Sequence, residues 1–484
     1  MELVGVAMSE ESRQTVRHAG AVVVQRILVV AVGVIFAAVV PRAMGPQVYG
    51  QFSLIESMSL WFGIFSGLGA VSMMTRFVPE FVTKGDHAGL RRMASGLLAL
   101  RIASGAAGSA AYLGLAAIWL RDISPVAIGL VAIGVALRLA SNLPFTLFLG
   151  LNQAARWEMG VVLRRALTLP LVYAGFRMAG LAGAAAGVLM AELGVLLTGL
   201  WWSREYLDWA FLRIDRKFLE PFLRFSTAFF AGNVLILLFQ QGGPAAVKFL
   251  SGDYAETAYY TIAFQAYLSI TSAAWRLLSA FGPLLSSLHT RGNFDQLKTW
   301  VERLLKLFSV TTVLGCALTV TLAGPIVRLV LGPGYEPVIR LLPVLALATH
   351  WYGLGGLARM LAVTYGEPRV SISSAALQLV TFLAASSLLV PAMGSLGACL
   401  GIVIASGLFA IFGTWQIRRH VPYSLKTWAL VSLLGIGLAP IVLVWDAAPA
   451  IRFALFSAVF VGSLMLMRVL GPDEIRALQR AARR

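Results

Sequence analysis

Runs of about 20 apolar residues, the length that crosses a bilayer as a helix, recur from one end of this chain to the other. They restrict the folds available to it more than any other feature. Of its 484 residues, 58% are apolar and 13% are charged, against about 45–50% and about 25% in soluble domains. The mean hydropathy of +0.81 excludes a single anchor attached to a soluble enzyme. Since backbone polar groups in lipid must be satisfied within the segment, the sequence predicts an all-α polytopic membrane protein.

Counting these runs gives about fourteen predicted transmembrane helices. The loops on one side carry about fourfold more Lys and Arg than those on the other, which marks that side as cytoplasmic and places both termini there. The predicted spans are 21–40, 52–73, 97–120, 125–149, 159–178, 181–202, 222–249, 258–285, 304–322, 338–363, 370–390, 396–415, 428–445 and 451–470.

An internal repeat relates the two halves of the chain. GLAGAAAGVLMAEL from Gly180 matches GSLGACLGIVIASG from Gly394, and VYGQFSLIESMSLWFG matches AYYTIAFQAYLSITSAAW, at similar separations. Each unit holds six spans, so the halves enter the membrane in the same sense and are expected to be related by a pseudo-twofold axis along the membrane normal. The predicted domains are a cytoplasmic tail (1–14), an N-lobe (15–205), a cytoplasmic linker (206–219), a C-lobe (220–418) and a two-helix extension with a basic tail (419–484).

Four segments that contain glycine, proline and aromatic residues carry a family resemblance. The segments are AMGPQVYGQFSL from Ala43, LGPGYEPVIRLLPVLAL from Leu331, YGEPRVSISSAALQ from Tyr365 and LLVPAMGSLGACLG from Leu388. Through them the chain resembles the polysaccharide transporter family, the O-antigen and lipid-linked oligosaccharide flippases of the multidrug/oligosaccharidyl-lipid/polysaccharide exporter superfamily.

The resemblance implies a flippase that moves a polyprenyl-pyrophosphate-linked oligosaccharide across a bacterial or archaeal cytoplasmic membrane by alternating access. It also implies membrane lipids and polysaccharide-assembly proteins as partners. Two alternatives remain: an ion-coupled multidrug or small-molecule antiporter of the same fold, and a membrane polysaccharide polymerase. The short external loops disfavour the polymerase.

Charged residues inside predicted spans form the set of candidate functional side chains, because a charge in the hydrocarbon layer usually faces a cavity or a partner. Arginine exceeds glutamate in this set, which suits an anionic cargo such as a lipid pyrophosphate. We expect Arg26 and Arg138 to face a central cleft and bind phosphate, with Arg101 and Arg276 as secondary candidates. An alternative reading pairs Arg26 or Arg138 with Glu192 as a structural bridge, and Arg276 could reach the interface instead.

Two carboxylates and three amides complete the candidates. Glu56 and Glu192 are candidates for binding a coupling proton or sodium ion, although neutral, hydrogen-bonded carboxyl groups fit the sequence equally well. Polar side chains precede Gly242-Gly243-Pro244, a predicted interruption of the helix beside a cavity. Hydrogen bonding between helices is the alternative for them. These side chains are Asn233, Gln240 and Gln241.

Several function classes are excluded by the sequence. Cys316 and Cys399 both lie in apolar runs, so no metal site or disulfide framework is predicted. No nucleotide-binding loop or nucleophile motif occurs, and we expect neither an enzyme nor a cofactor. The net charge of +17 is scattered among apolar runs, which argues against nucleic acid. His350, beside Trp351 and Tyr352, is expected to belong to a packed cluster rather than a sugar-stacking site.

Overall fold

A computed structural model of the chain describes residues 10–65, 70–279, 281–443 and 447–469. Within these ranges the regular structure is helical, with fourteen α-helices, two short 3-10 helices and no strand. The helices are α1 (Glu10–Phe65), α2 (Ala70–Thr83), α3 (His87–Trp119), α4 (Pro125–Gly150), α5 (Ala154–Ser203), α6 (Arg216–Ser251), α7 (Tyr254–Ser279), α8 (Gly282–Thr290), α9 (Phe294–Val330), α10 (Pro337–Thr364), α11 (Pro368–Met393), α12 (Ser395–Ile417), α13 (Lys426–Leu443) and α14 (Pro449–Leu466).

Eleven of the described helices are long and apolar enough to cross a membrane. Two of them carry two predicted spans each, because α1 is interrupted at Gly45 and α5 at Ala179 and Gly180. The eighth predicted span lies mainly on α7, which is not among those eleven, and its predicted end runs past Ser279 into α8. Each predicted span thus falls mainly on a helix. The predicted all-α polytopic architecture is confirmed.

The α5 helix is a hairpin with two arms. Gly180 has φ +58° and ψ −139°, a conformation that is essentially restricted to glycine. A Cβ atom on Gly175 would overlap the carbonyl oxygen of Gly183, and one on Gly187 would overlap that of Leu171. Residues equally spaced on the two sides of the turn therefore face each other, and the arms pack backbone against backbone.

The C-terminal half repeats this hairpin between α11 and α12. Gly394 joins them with φ +56° and ψ −135°, within a few degrees of the angles at Gly180. A Cβ atom on Gly397 would overlap the carbonyl oxygen of Leu389. The glycines of the two matching segments thus have the same two roles: one forms the turn, and the next, three residues later, allows close packing of the arms.

A second repeated turn precedes α3 and α9. Gly85 and Gly292 have φ +67° and +68°. The following residues, Asp86 and Asn293, each accept a hydrogen bond from a backbone N–H of the next helical turn. This capping satisfies one of the unpaired donors at a helix start. Lys84-Gly85-Asp86 and Arg291-Gly292-Asn293 therefore form the same turn in the two halves.

A third pair of turns escaped the sequence comparison because the residue types differ. Asn152 (φ +59°) joins α4 to α5, and Gly366 (φ +66°) joins α10 to α11. Asparagine is among the few residues other than glycine that adopt this conformation readily. The helices before these turns, α4 and α10, both begin with proline, at Pro125 and Pro337.

The chain divides into two compact units, Met1–Ala245 and Ala246–Arg484. In the N-terminal unit, α4 packs against α1, α2, α3 and α5. In the C-terminal unit, α10 packs against α7, α8, α9, α11 and α12, while α13 and α14 pack on α9. The division falls inside α6. The domain limits given above remain predictions.

His350 attaches the C-terminal extension to this second unit. Its Nδ1 lies 2.8 Å from Thr312 Oγ1 on α9, and its Nε2 lies 2.7 Å from Ser432 Oγ on α13. The imidazole also stacks on Trp428, with ring centroids 5.3 Å apart. Both ring nitrogens have partners, so His350 is part of the packed cluster expected from the sequence.

Candidate functional site

A charge network connects three helices of the N-terminal unit. Arg138, on α4, donates from Nε to Glu192 Oε1 on α5 and from Nη2 to Glu56 Oε2 on α1, both over 3.0 Å. The side chain of Glu192 is only 2% exposed, and that of Arg138 is 18% exposed. Arg138 thus makes the pairing with Glu192 that the sequence left open as the alternative. Its contact with a cargo remains a prediction.

Arg164 is a member of this network that the sequence analysis missed. Its Nε lies 3.1 Å from Glu192 Oε1, and its Nη2 donates to Asn142 Oδ1 over 2.7 Å and to Ser141 Oγ over 3.1 Å. Ser141 in turn donates to Glu192 Oε2 over 2.9 Å. The available signal was a pair of arginines, Arg164 and Arg165, inside the apolar run MGVVLRRALTLP.

Both carboxylates of the network are held by arginine. Arg138 and Arg164 balance Glu56 and Glu192, so the four groups carry no net charge. A buried ion pair persists only when its remaining hydrogen-bonding groups are also satisfied, and Ser141 and Asn142 supply these additional bonds. A coupling cation at either glutamate would therefore have to compete with a guanidinium. Ion coupling at Glu56 and Glu192 remains a prediction.

A cavity of about 270 Å³ opens beside this network. Arg101 enters it from α3 and is 9% exposed. In the part of the chain that the structure describes, no carboxylate pairs with Arg101, so the charge around the cavity is positive. The cavity is lined by Arg101, Asn142, Phe145, Thr146, Trp157, Gly160, Val161 and Arg164.

Gln240 and Gln241 lie on an unbroken helix. The α6 helix continues through Gly242-Gly243-Pro244, so the expected interruption was wrong. The carbonyl of Gln241 accepts a hydrogen bond from Trp61 Nε1 over 3.0 Å, which ties this stretch to α1. Both glutamines are half-buried, and neither is among the residues that line the cavity beside Arg101; their lining of another cavity remains a prediction.

The structure does not describe the side chains of three further candidates, which are Arg26, Asn233 and Arg276. The helices α1, α6 and α7 pass through these positions. Their predicted roles in cargo binding and cavity lining remain predictions.

Comparison with solved structures identifies the fold. The chain is similar to an inward-facing multidrug resistance MATE family transporter of the MOP superfamily, with a TM-score of 0.68 and 17% identity over 82% of this chain and 94% of that one. It is similar to the lipid II flippase MurJ in an inward closed conformation, with a TM-score of 0.68 and 16% identity over 93% and 100%. A MOP superfamily transporter from Pyrococcus furiosus gives a TM-score of 0.57 and 16% identity over 83% and 95%.

No family model and no curated protein matches the sequence. The identities of the structural neighbours are low, and what they share with this chain is the fold. The chain therefore has the fold of the MOP superfamily transporters and is a multi-pass membrane protein. At the level of the fold, the resemblance to this superfamily is confirmed.

Proposed function

We propose that the protein is a flippase that moves a lipid-linked oligosaccharide, carried on a polyprenyl pyrophosphate, across the cytoplasmic membrane by alternating access. The observation that carries this proposal is the state of the charges in the N-terminal unit. Glu56 and Glu192 are both engaged by arginine, whereas Arg101 faces a cavity without a carboxylate partner among the described residues. A ligand entering this cavity meets positive charge.

This charge balance favours an anionic cargo over a cationic drug. A cation exporter needs a carboxylate that is free to meet its substrate, and removing a carboxylate from a buried pair costs about 3–5 kcal/mol because the partner charge is left uncompensated. A pyrophosphate instead needs donors, and a guanidinium presents several in a planar arrangement that fits phosphate oxygens. The ion-coupled multidrug antiporter is therefore the second candidate.

The location follows from the same proposal. The cargo would be assembled on the cytoplasmic side of a bacterial or archaeal inner membrane, where we expect both termini of this chain from the excess of basic residues in the loops of one side. Lipid-linked oligosaccharide, membrane lipids and polysaccharide-assembly proteins are its proposed partners. Export of O-antigen or a related polysaccharide is the proposed cellular role.

The test is transport by the full chain in reconstituted vesicles. Flipping of a fluorescent polyprenyl-pyrophosphate oligosaccharide is measured by the fraction that an external quencher reaches, beside a polyprenol-linked analogue without phosphate and beside efflux of a cationic dye. We expect transport of the pyrophosphate substrate only. Efflux of the dye without flipping would replace this proposal with the antiporter.

Variants on α1 refine the same assay. Arg26→Gln should abolish flipping, and Arg26→Lys should keep part of it as a point charge. Arg42→Gln removes an exposed arginine from the same helix and should leave flipping unchanged. Equal activity of Arg26→Gln and Arg42→Gln would remove Arg26 from the cargo pathway.

A further inference from the structure

We propose that the cavity between α3, α4 and α5 is a binding site for the phosphate group of a lipid or soluble ligand, with Arg101 as its principal cation. This site lies within the N-terminal unit and borders the charge network, because Arg164 lines the cavity and also bonds to Glu192. This inference rests on the proposed function, because the same cavity carries both, and it is tested by binding rather than by flipping so that the two can fail separately.

Arg101 is a buried cation at the wall of the cavity. The residue is 9% exposed. A buried cation costs several kcal/mol unless a partner compensates it, and no described carboxylate does so for Arg101. The neighbouring acid on α5, Glu158, is buried but does not line the cavity. Among the described residues, Arg101 therefore has no anionic partner at the place where the cavity is open.

Other hydrogen-bond donors surround the cavity beside Arg101. Arg164 lines the same cavity and is oriented by its bonds to Glu192 and Asn142. Asn142 accepts from Arg164 through Oδ1, so its amide N–H groups point away from that bond and are donors for a further acceptor. The described lining thus contains guanidinium and amide donors and no carboxylate. These donors can bind phosphate oxygens, and the guanidinium groups repel a cation.

The volume and the apolar wall of the cavity suit a phosphate ester. At about 270 Å³, the cavity is smaller than the roughly 300–1,000 Å³ pockets that enclose drug-sized ligands. It fits a head group, and an oligosaccharide would remain outside. Phe145, Trp157 and Val161 form its apolar wall, which can contact the first carbons of an ester chain. A phosphate ester can therefore contact the polar and the apolar residues of this lining at the same time.

The test is ligand binding by the purified full chain in detergent, separate from any flipping assay. The probes are dioleoylphosphatidylglycerol, dioleoylglycerol, which lacks phosphate, and sodium pyrophosphate. Native mass spectrometry counts bound lipid, and the melting temperature reports binding of pyrophosphate. We expect wild type to retain one phosphatidylglycerol, or to be stabilised by pyrophosphate, and to ignore dioleoylglycerol.

Substitutions tie the binding to the cavity. A hydrogen bond to a charged group contributes about 1.5–3 kcal/mol, so Arg101→Gln should weaken binding about 10- to 100-fold. Asn142→Asp should do so as well, because it places a carboxylate on the wall while keeping an acceptor for Arg164. Arg121→Gln is the matched control, because Arg121 is an exposed arginine just beyond the C-terminal end of α3. This variant should bind as wild type does.

The outcomes separate the sources of the phosphate. Binding of phosphatidylglycerol alone identifies a bilayer lipid, and stabilisation by pyrophosphate identifies a soluble or cargo phosphate. Either result supports the site when the binding of that probe is weakened in Arg101→Gln and Asn142→Asp and is unchanged in Arg121→Gln. Binding of neither probe, or equal losses in Arg101→Gln and Arg121→Gln, overturns the proposal.

Discussion

Replacing Glu192 with glutamine tests the account of the charge network most directly. The carboxylate accepts hydrogen bonds from Arg138, Arg164 and Ser141. Glutamine has nearly the same shape but offers one acceptor oxygen and adds an NH₂ donor. The variant therefore points a donor toward at least one arginine and changes the net charge of the four groups from zero to one positive charge.

The size of the effect follows from burial. The Glu192 side chain is 2% exposed, so solvent does little to replace the lost carboxylate. Removing one partner of a buried pair costs about 3–5 kcal/mol. Each kcal/mol lowers the melting temperature of a domain of 150–250 residues by about 2–4 °C, so we expect the N-terminal unit to melt at least about 6 °C lower.

The assay is thermal unfolding of the purified chain in detergent, followed by tryptophan fluorescence. Glu80→Gln is the control, since Glu80 pairs with Lys84 at an exposed position on α2 and its loss should have little effect. The double variant Glu192→Gln with Arg164→Gln removes one charge of each sign and should recover stability relative to Glu192→Gln alone. A melting temperature of Glu192→Gln equal to that of Glu80→Gln would refute the reasoning.

Three further predictions address the turns, the loops and the topology. Gly394→Ala forces alanine into a glycine-only conformation at a cost of about 1–3 kcal/mol, measured by thermal unfolding, while Gly437→Ala has open space and should be tolerated. The hydrogen bond from Arg92 lowers the pKa of Asp215, so the stabilisation of the fold by this carboxylate is present above about pH 3.9 and is lost as the pH falls through the lowered pKa. When unfolding is measured from pH 6 to pH 3, Asp215→Asn should lack this acid-dependent loss of stability. Single cysteines at 204–224 in a cysteine-free background should resist an impermeant external label.

The positions of the helices could be predicted because the bilayer requires one apolar segment of fixed length for each crossing. The hairpins could be predicted because glycine in the turns is required by the backbone, and the sequence retains it at Gly180 and Gly394. The turn at Asn152 could not be predicted from the repeat, because the equivalent residue in the second half is Gly366. The residue types differ, and only the similar backbone angles reveal the match.

The partners of the charged residues could not be predicted, because they come from distant parts of the chain. Glu56 and Glu192 lie 82 and 54 residues from Arg138, and hydropathy contains no information about which helices are neighbours. Arg359 shows the same limit. It lies within the tenth predicted span but was not among the candidates predicted from the sequence, and its guanidinium lies 5.3 Å from the ring centroid of Trp275 on α7.

The repeated turns allow the two units to be compared residue by residue, and they show an uneven divergence after duplication. Counted from the prolines that begin α4 and α10, Arg138 corresponds to His350. Counted from the hairpin glycines, Glu192 corresponds to Ser406. Both copies have kept the backbone geometry, while only the first carries the ion pairs at these positions. Any effect of charge at these positions is therefore confined to the N-terminal unit, so the two units are chemically unequal there despite their matching backbone turns.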